Sequence, residues 1–432
     1  MQYFSTNRSS PPVTFREALE LGQPPSGGLF FPSEIPKFDS DFLSTLADRE
    51  NADIAFEMIR PYVGGEIADE ELHKICVETV DFPFPLVDVT SNISALELFH
   101  GPTLAFKDVG ARFMSRCLRQ FSTYDSPQKT LVIVATSGDT GGAVGAGFHG
   151  VEGVEVVIMY PKGRVSGVQE LQLTTLGGNV TALEVRGSFD DCQRIAKRVL
   201  ADDEIRSRAK LTSANSINIC RWLSQQFYYA FAIKQWRHDT PPVFSVPSGN
   251  FGNIAAGLLA FASGLPVRGF VAACNANDVV PRFLETGAFE PRASVATLSN
   301  AMDVGDPSNL SRVIEIFDRD LSGVRNMLTA VSVTDAETEA TMKNVYAEAG
   351  YILDPHGAVG YKALADHIEA YPDRRGIFLA TAHPVKFECT ERILGDHGPV
   401  PESIRELSDR TKSAREIEAD YGEVREIILS LI

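Results

Sequence analysis

The sequence has few cysteines and no long apolar run. Its six cysteines are scattered over 432 residues, with no C-x-x-C pair and no metal-like spacing. We expect them to be buried thiols in a reducing compartment. The most apolar stretch, residues 254–274, contains Ser263, Pro266 and Arg268, which predicts a buried helix followed by a strand rather than a membrane span. The N-terminus has no apolar core of signal-peptide length, so we expect a cytoplasmic protein.

Basic residues are scarce relative to acidic ones. The chain has 57 Asp and Glu against 40 Lys and Arg, a formal net charge of −17. An acidic surface repels phosphate backbones and anionic lipids, so we expect neither a nucleic-acid partner nor a membrane partner. A local pocket can still oppose the overall charge, which leaves room for an anionic small-molecule substrate. No spacing of His, Asp and Glu resembles a metal site, and we predict none.

The length suggests two or three domains. Residues 1–85 are predicted to form an N-terminal domain, with Pro83 and Pro85 near its end because closely spaced prolines resist both helix and central strand. After them, apolar strands alternate with helices, which indicates a doubly wound α/β core over residues 86–432 with parallel sheets covered on both faces. A charged helical tail is predicted from about residue 402. The clearest predicted strands cover residues 130–137, 154–161, 179–185, 241–249, 267–274 and 376–384.

A glycine-bearing turn, S-G-N-F-G-N, lies between a predicted strand and an apolar helix. It comprises Ser248, Gly249, Asn250, Phe251, Gly252 and Asn253. Ligands of open α/β sheets bind outside the carboxyl ends of the strands, and N–H groups at a helix start favour an anion. The turn therefore fits a phosphate cradle, although a turn with no ligand stays open as an alternative. It is not a Walker A loop, because no G-K-[ST] follows.

Lys107 is the second unusual feature. It follows Leu104, Ala105 and Phe106, an apolar setting in which desolvation lowers the pKa of a lysine and makes it a nucleophile or Schiff-base former. The alternative is a surface lysine paired with Asp108. A reactive lysine together with a phosphate cradle points to pyridoxal phosphate as cofactor.

Seven segments resemble one family. They are SGGLFFPSEIP (26–36), LELFHGPTLAFKD (96–108), ATSGDTGGA (135–143), SANSINICR (213–221), VPSGNFGN (246–253), ATLSNAMDVG (296–305) and TAHPVKF (381–387). With these segments the sequence resembles the threonine synthases of the bacterial and fungal type, fold-type II pyridoxal-phosphate enzymes of the tryptophan synthase β family. The resemblance covers nearly the whole chain and implies a core of two α/β lobes.

The resemblance also implies roles for individual residues. Lys107 would form the Schiff base and move protons, residues 248–253 would hold the cofactor phosphate, and Thr381 would face the pyridine nitrogen as a neutral hydroxyl. One substrate-facing segment would contain Ser137, Asp139 and Thr140. Asp139 stands where relatives have Asn and cannot donate a hydrogen bond when ionised. A second segment would contain Asn215, Ser216, Asn218 and Arg221, for which helix capping and packing is an open alternative.

The implied reaction converts O-phospho-L-homoserine and water into L-threonine and phosphate, by γ-elimination and β-hydration. It requires a second anion site for the substrate phosphate, for which Lys162, Arg164 and Arg221 are candidates. Lys162 and Arg164 end a predicted strand in the sequence PKGR, which could equally be a solvated turn. Two other functions stay open: a phospholyase that gives 2-oxobutyrate from the same substrate, and a non-catalytic relative.

Overall fold

Three sheets organise the chain. The computed structural model describes residues 1–125 and 128–432. Within them the strands are β1 (Tyr3–Ser5), β2 (Phe30–Pro32), β3 (Leu86–Asp88), β4 (Ile93–Glu97), β5 (Thr130–Ala135), β6 (Val154–Pro161), β7 (Val180–Arg186), β8 (Lys210–Ser213), β9 (Val243–Pro247), β10 (Gly269–Cys274), β11 (Leu328–Ser332), β12 (Gly376–Ala380) and β13 (Arg415–Glu418). Strands β1 and β2 form an antiparallel pair.

The two larger sheets are almost entirely parallel. One has the order β11-β10-β9-β12-β4-β3, and only β3 runs antiparallel to its neighbour. The other has the order β13-β7-β6-β5-β8 and is parallel throughout. Every residue of β5 is buried, as expected for a strand covered on both faces. The predicted α/β fold with parallel sheets is confirmed.

Helices cover the sheets and connect the strands. They are α1 (Phe15–Leu21), α2 (Ser40–Thr45), α3 (Asn51–Val63), α4 (Asp69–Thr79), α5 (Lys107–Asp125), α6 (Asp139–Phe148), α7 (Gly167–Thr174), α8 (Phe189–Leu200), α9 (Asp203–Arg208), α10 (Ile219–Leu223), α11 (Phe227–Gln235), α12 (Gly252–Ala262), α13 (Val279–Thr286), α14 (Leu310–Ile316), α15 (Leu321–Met327), α16 (Asp335–Ala349), α17 (Pro355–Ala370), α18 (Glu388–Leu394), α19 (Glu402–Ser408) and α20 (Tyr421–Leu431). Short 3₁₀ helices cover Leu46–Asp48, Ser224–Gln226, Asn300–Met302 and Pro384–Lys386. In the described residues, no helix combines the length and the apolar character that crossing a membrane requires.

The N-terminal region packs on the rest of the chain through apolar helix faces. Helix α3 buries Ile54, Ala55, Met58 and Ile59 at the spacing of one helix face, and it ends at Gly64 in the left-handed conformation. These residues join a hydrophobic core that extends into both larger sheets. The division of the chain at residue 85 stays a prediction.

The C-terminal region differs from the predicted helical tail. Between α19 and α20 the chain forms β13, which pairs in parallel with β7 at the edge of the five-stranded sheet. Its sequence, R-E-I-E, buries only Ile417 and has charged side chains on the exposed positions. Such a strand has too little apolar periodicity to be recognised from sequence, because the partner strand provides its hydrogen bonds.

Candidate active site

The loop before Lys107 is attached to the end of β12. The N–H of Phe106 donates to the Thr381 carbonyl (2.9 Å), and the N–H of His383 donates to the Leu104 carbonyl (3.1 Å). Leu104 has a φ of 56°, a left-handed conformation that is costly for a residue with a branched side chain. Helix α5 then begins at Lys107. These contacts hold the lysine at the carboxyl end of the six-stranded sheet.

Lys107 lies beside the carboxylate of Asp139, which follows strand β5 of the five-stranded sheet. Its Nζ is 3.8 Å from Oδ2 of Asp139, the first residue of α6, and its side chain is 18% exposed. Burial lowers the pKa of Lys107; Asp139 opposes that effect, whereas Lys386 and Arg221 reinforce it. Asp108 is engaged elsewhere, since it accepts hydrogen bonds from the N–H and Oγ1 of Thr103 (2.9 and 2.6 Å). Lys107 is therefore not the surface lysine of the alternative interpretation.

Asp139 is the centre of a buried cluster of polar side chains. Its Oδ1 accepts from Nζ of Lys386 at 2.6 Å and from Nε2 of Gln169 at 2.9 Å. Burial opposes ionisation of this carboxyl, but Lys386 and Lys107 outweigh burial and hold the pKa of Asp139 well below its usual range. Asp139 thus acts as an acceptor of hydrogen bonds, as its chemistry predicts.

Sequence reasoning assigned no role to Lys386 or Gln169. Lys386 lies between Val385 and Phe387, and its side chain is fully buried. The apolar setting that singled out Lys107 was a usable signal for Lys386 as well. No local pattern indicates Gln169, because its partner Asp139 comes from a different strand end.

The turn after β9 presents hydrogen-bond donors without partners. In the described part of the chain, no carbonyl or side chain accepts from the backbone N–H groups of residues 249–253. The side-chain nitrogen of Asn253, Nδ2, is likewise buried and has no hydrogen-bond partner among the described residues. Phe251 has a φ of 62°, a strained conformation at the N-terminus of α12. A concentration of unpaired donors at a helix start suits an anion.

The shape of this turn depends on close packing. A Cβ at Gly249 would lie 2.6 Å from Cα of Met302 and 3.2 Å from the carbonyl oxygen of Ala301. The Ser248 N–H donates to the Ala273 carbonyl (2.8 Å), and the Ser248 hydroxyl donates to the Val246 carbonyl (2.8 Å). Strand β10 and the 299–303 segment therefore fix the turn from two sides.

Thr381 follows directly after β12, the central neighbour of β9 and β4. Its side chain is buried, and its hydroxyl has no hydrogen-bond partner among the residues that the structure describes. A neutral hydroxyl in this position is free to meet a ring nitrogen.

The turn after β5 holds Ser137 and Thr140. Oγ1 of Thr136 accepts from the N–H groups of Gly138 and Gly141 (both 2.9 Å) and so closes the turn. Gly138 has a φ of 141°, and a Cβ there would lie 2.5 Å from the side chain of Gln169. Ser137 and Thr140 are half-buried, with hydroxyls that have no partner in the described residues.

The predicted substrate-facing residues of segment 213–221 differ in their contacts. Ser216 accepts from Nδ2 of Asn250 (2.6 Å), which links this segment to the turn after β9. Asn215 has a buried side-chain oxygen without a partner. Asn218 instead caps α10 by accepting from the Cys220 N–H (3.0 Å), and its amide group donates to the Leu19 carbonyl (3.0 Å). For Asn218 the geometry is that of the capping alternative.

The three basic candidates lie in different environments. Lys162 pairs with Glu416 of β13 at 2.5 Å, at the edge of the five-stranded sheet. Arg164 is exposed and has no ion pair among the described residues. Arg221 is buried with an unpaired Nε, and desolvation lowers its pKa to about 10 despite the opposing effects of Tyr228 and Asp108. Only Arg221 is brought close enough to affect Lys107 electrostatically.

These residues fit pyridoxal phosphate. The cofactor needs a lysine that is easily deprotonated, donors for its phosphate and a partner for its ring nitrogen. All three are present where β4, β9 and β12 end, at the carboxyl edge of the six-stranded sheet. A family model described as pyridoxal-phosphate dependent enzyme matches residues 87–381. The fold and the site thus define a pyridoxal-phosphate-dependent enzyme.

Two further family models narrow this class. Threonine synthase N terminus matches residues 2–80, and threonine synthase, C-terminal, matches residues 357–428. A threonine synthase from Serratia marcescens is 42% identical over 434 residues, with 100% of both chains covered. The chain belongs to the threonine synthase family, and its cofactor is pyridoxal phosphate.

Solved structures agree with this assignment. The crystal structure of threonine synthase from Escherichia coli has a TM-score of 0.92 and 41% identity, covering 100% of both chains. A threonine synthase from Brucella melitensis with bound pyridoxal phosphate has a TM-score of 0.92 and 34% identity, covering 100% of this chain and 99% of that one. The expected family, fold and cofactor are confirmed, while the roles of single residues stay predictions.

Proposed function

We propose that this chain converts O-phospho-L-homoserine and water into L-threonine and inorganic phosphate, by γ-elimination followed by β-hydration. The reaction needs two phosphate-binding places in one site, one for the cofactor and one for the substrate. One observation supports this requirement: unpaired donors occur in two groups, the N–H groups of residues 249–253 and Nε of Arg221. We also place the reaction in the cytoplasm, because all six cysteines are free thiols.

Each group of cofactor-binding residues contacts a different part of the cofactor. Residues 248–253 hold the cofactor phosphate by backbone donors, Lys107 bonds to its aldehyde carbon, and the Thr381 hydroxyl meets its ring nitrogen. When bound, pyridoxal phosphate withdraws electrons from the substrate Cα, which stabilises the negative charge left by loss of the Cα proton.

Lys107 is also the base. Its neutral Nζ would accept the Cα proton of the bound substrate, because burial lowers the pKa of Lys107 and so favours the neutral amine. A Cβ proton then leaves, and the γ-phosphate departs with the electrons of its C–O bond. Cγ then takes up a proton, the hydroxyl of water adds to Cβ, and a proton returned to Cα completes threonine. The proton left over leaves on the inorganic phosphate.

The substrate is held by the surrounding polar groups. Ser137 and Thr140 provide hydroxyl donors, and Asn215 and Ser216 line the opposite segment. Arg221 binds the substrate phosphate, because it is buried and keeps a free donor. Lys162 is already paired with Glu416, and Arg164 is solvated, so both are weaker choices for a tight anion site.

The test is to identify the products formed from O-phospho-L-homoserine. We expect threonine and phosphate in equal amounts. Formation of 2-oxobutyrate instead would establish the phospholyase, and absence of any turnover by chain saturated with cofactor would establish a non-catalytic relative.

Two variants test the residue roles. Lys107→Ala should lose both the visible absorbance of the bound cofactor and turnover. Arg221→Met should keep that absorbance but lower kcat/KM roughly 10- to 150-fold, the loss expected for one charge-assisted hydrogen bond. Arg282→Met, which removes an exposed arginine paired with Asp278, is the matched control and should behave like the unaltered chain. Turnover by Lys107→Ala would contradict the assignment of the base.

A further inference from the structure

We propose that Lys386 is a positioning residue that fixes the Asp139 carboxylate against Lys107 and, by its own charge, keeps the Lys107 amine in the neutral form that reacts with the cofactor aldehyde. This inference rests on the proposed role of Lys107 as the cofactor-bearing lysine. It assigns to Lys386 no contact with substrate or cofactor.

Lys386 is held more tightly than Lys107. Its ammonium group is fully buried and has two acceptors at hydrogen-bond distance, Oδ1 of Asp139 (2.6 Å) and the Thr103 carbonyl (2.7 Å). It ends a 3₁₀ helix whose start is capped by His383, which accepts from the Val385 N–H (3.2 Å). The chain therefore determines the position of this charge without any ligand.

The Asp139 carboxylate is oriented by the same contacts. Lys386 and Gln169 both donate to Oδ1, which leaves Oδ2 directed towards Lys107 at 3.8 Å. Because one oxygen is occupied twice, rotation of the carboxylate would break two hydrogen bonds. The distance and direction of the anion that faces Lys107 thus depend on Lys386.

The charges around Lys107 come from several elements. Asp139 of α6 faces Lys107 through Oδ2, and Lys386 of the 3₁₀ helix is bound to Oδ1 of the same carboxylate. Arg221 of α10 adds a second buried cation, which acts on Lys107 electrostatically. Asp108, the next residue after Lys107 on the same helix, accepts a hydrogen bond from Thr103. The hydroxyl of Tyr228, on α11, donates to the carbonyl of Phe106. Asp139 is closer to Lys386 than to Lys107, so the shared anion compensates the charge of Lys386 first.

A third positive charge in this buried space is unfavourable, which favours the neutral form of Lys107. Burial lowers the pKa of Lys107, and Lys386 and Arg221 add to that effect while Asp139 opposes it. The neutral amine adds to the aldehyde carbon of the cofactor, and one water is released as the carbon–nitrogen double bond forms. Lys386 should therefore control how fast the chain captures its cofactor at a given pH.

The experiment measures cofactor capture rather than turnover. Full-length chain stripped of pyridoxal phosphate is mixed with fresh cofactor over a range of pH, and capture is followed by visible absorbance and by borohydride trapping on the Lys107 peptide. For Lys386→Met we expect about tenfold slower capture at neutral pH, and a rate–pH curve displaced to higher pH. Lys386→Arg keeps the charge and should restore most of the rate.

Asp139→Asn provides an independent test with the opposite sign. It removes the anion that favours the charged form of Lys107, so its rate–pH curve should move to lower pH. A merely structural role would reduce the amount of capture in both variants without moving the curves apart. Lys343→Met, which removes an exposed lysine paired with Glu339 on α16, is the matched control and should cause no displacement.

The outcomes separate the inference from the proposed function. An undisplaced curve for folded Lys386→Met would overturn the inference, as would curves that move in the same direction for Lys386→Met and Asp139→Asn. If Lys386→Met does not fold, the direction for Asp139→Asn decides alone. Trapping of cofactor on a lysine other than Lys107 in the unaltered chain would instead remove the assignment of Lys107 on which the inference rests.

Discussion

We call residues 248–253 the phosphate turn, because we propose that they hold the cofactor phosphate. Gly249 is the residue of this turn where one added methyl group should have the largest effect. A Cβ there would lie 2.6 Å from Cα and 3.1 Å from the carbonyl carbon of Met302. Both are backbone atoms of the 299–303 segment, which cannot move aside by a change of rotamer. Gly249→Ala must therefore displace the turn itself, and with it the N–H groups of residues 249–253 that we propose as donors to the cofactor phosphate.

The size of the effect follows from this contact. Overpacking by one methyl group costs about 1–3 kcal/mol, which corresponds to a roughly 5- to 150-fold weaker affinity for the cofactor if the turn relaxes at the expense of binding. If the turn does not relax, the same strain lowers the free energy of unfolding instead. The loss of binding free energy for the cofactor and the loss of unfolding free energy can both be measured. We expect the two losses together to amount to about 1–3 kcal/mol.

The assay combines a titration of stripped chain with pyridoxal phosphate, followed by absorbance, and urea unfolding of the same samples. Gly167→Ala is the matched control, because the nearest atom to a Cβ at that position, Oε1 of Glu388, is 3.9 Å away. We expect the control to bind cofactor normally. Gly249→Ala with unchanged affinity and unchanged unfolding free energy would refute the steric argument.

Two further predictions concern Arg312, which is fully buried, and His383, which is half-buried. Arg312→Met should lower the free energy of unfolding by about 3 kcal/mol in urea, because the fully buried guanidinium donates to the carbonyls of Phe30, Ser216 and Ile217, which would lose their partner; a loss below about 1 kcal/mol would contradict this account. Burial, with a contribution from His100, lowers the pKa of His383 from 6.5 to about 4, so the unfolded chain binds the proton first and stability falls as pH drops through that window. His383→Asn keeps an acceptor for the Val385 N–H and should flatten this part of the curve of unfolding free energy against pH, whereas an unchanged slope would exclude His383 as its source.

Local pattern was sufficient for features that depend on nearest neighbours. The buried strands β5 and β6 were predicted within two residues at each end, because a strand covered on both faces needs a continuous apolar run. The glycine-bearing turn before α12 was predicted for a similar reason, since a helix start with free N–H groups follows from the order of strand, turn and apolar helix. The short strands β4, β8 and β11 were missed, because their identity depends on pairing rather than on their own sequence.

Side-chain contacts between segments far apart in the sequence could not be predicted from local patterns. Lys386 contacts both Asp139 and Thr103. Thr103 and Asp139 are 36 residues apart in the sequence and Asp139 and Lys386 are 247 apart, so no local spacing pattern predicts these contacts. Arg312 escaped for the same reason, since its acceptors come from the N-terminal region and from segment 213–221. The sequence alone also left Lys162, Arg164 and Arg221 as equal candidates. In the structure, burial and the ion pair between Lys162 and Glu416 separate them.

The net charge of −17 is compatible with the proposed binding of two phosphates, because surface charge and buried groups act over different ranges. Surface charges are screened over about 8 Å at physiological ionic strength, so the acidic surface repels a long polyanion that must lie along it but affects a buried site weakly. Inside, Lys107 and Lys386 face one carboxylate, Asp139, and Arg221 adds a further buried positive charge, while Asp108 is bound by Thr103. The N–H groups of the phosphate turn add positive potential that no count of charged residues contains. Composition therefore argues against long polyanionic partners, whereas the sign of a small ligand is decided by a few buried groups.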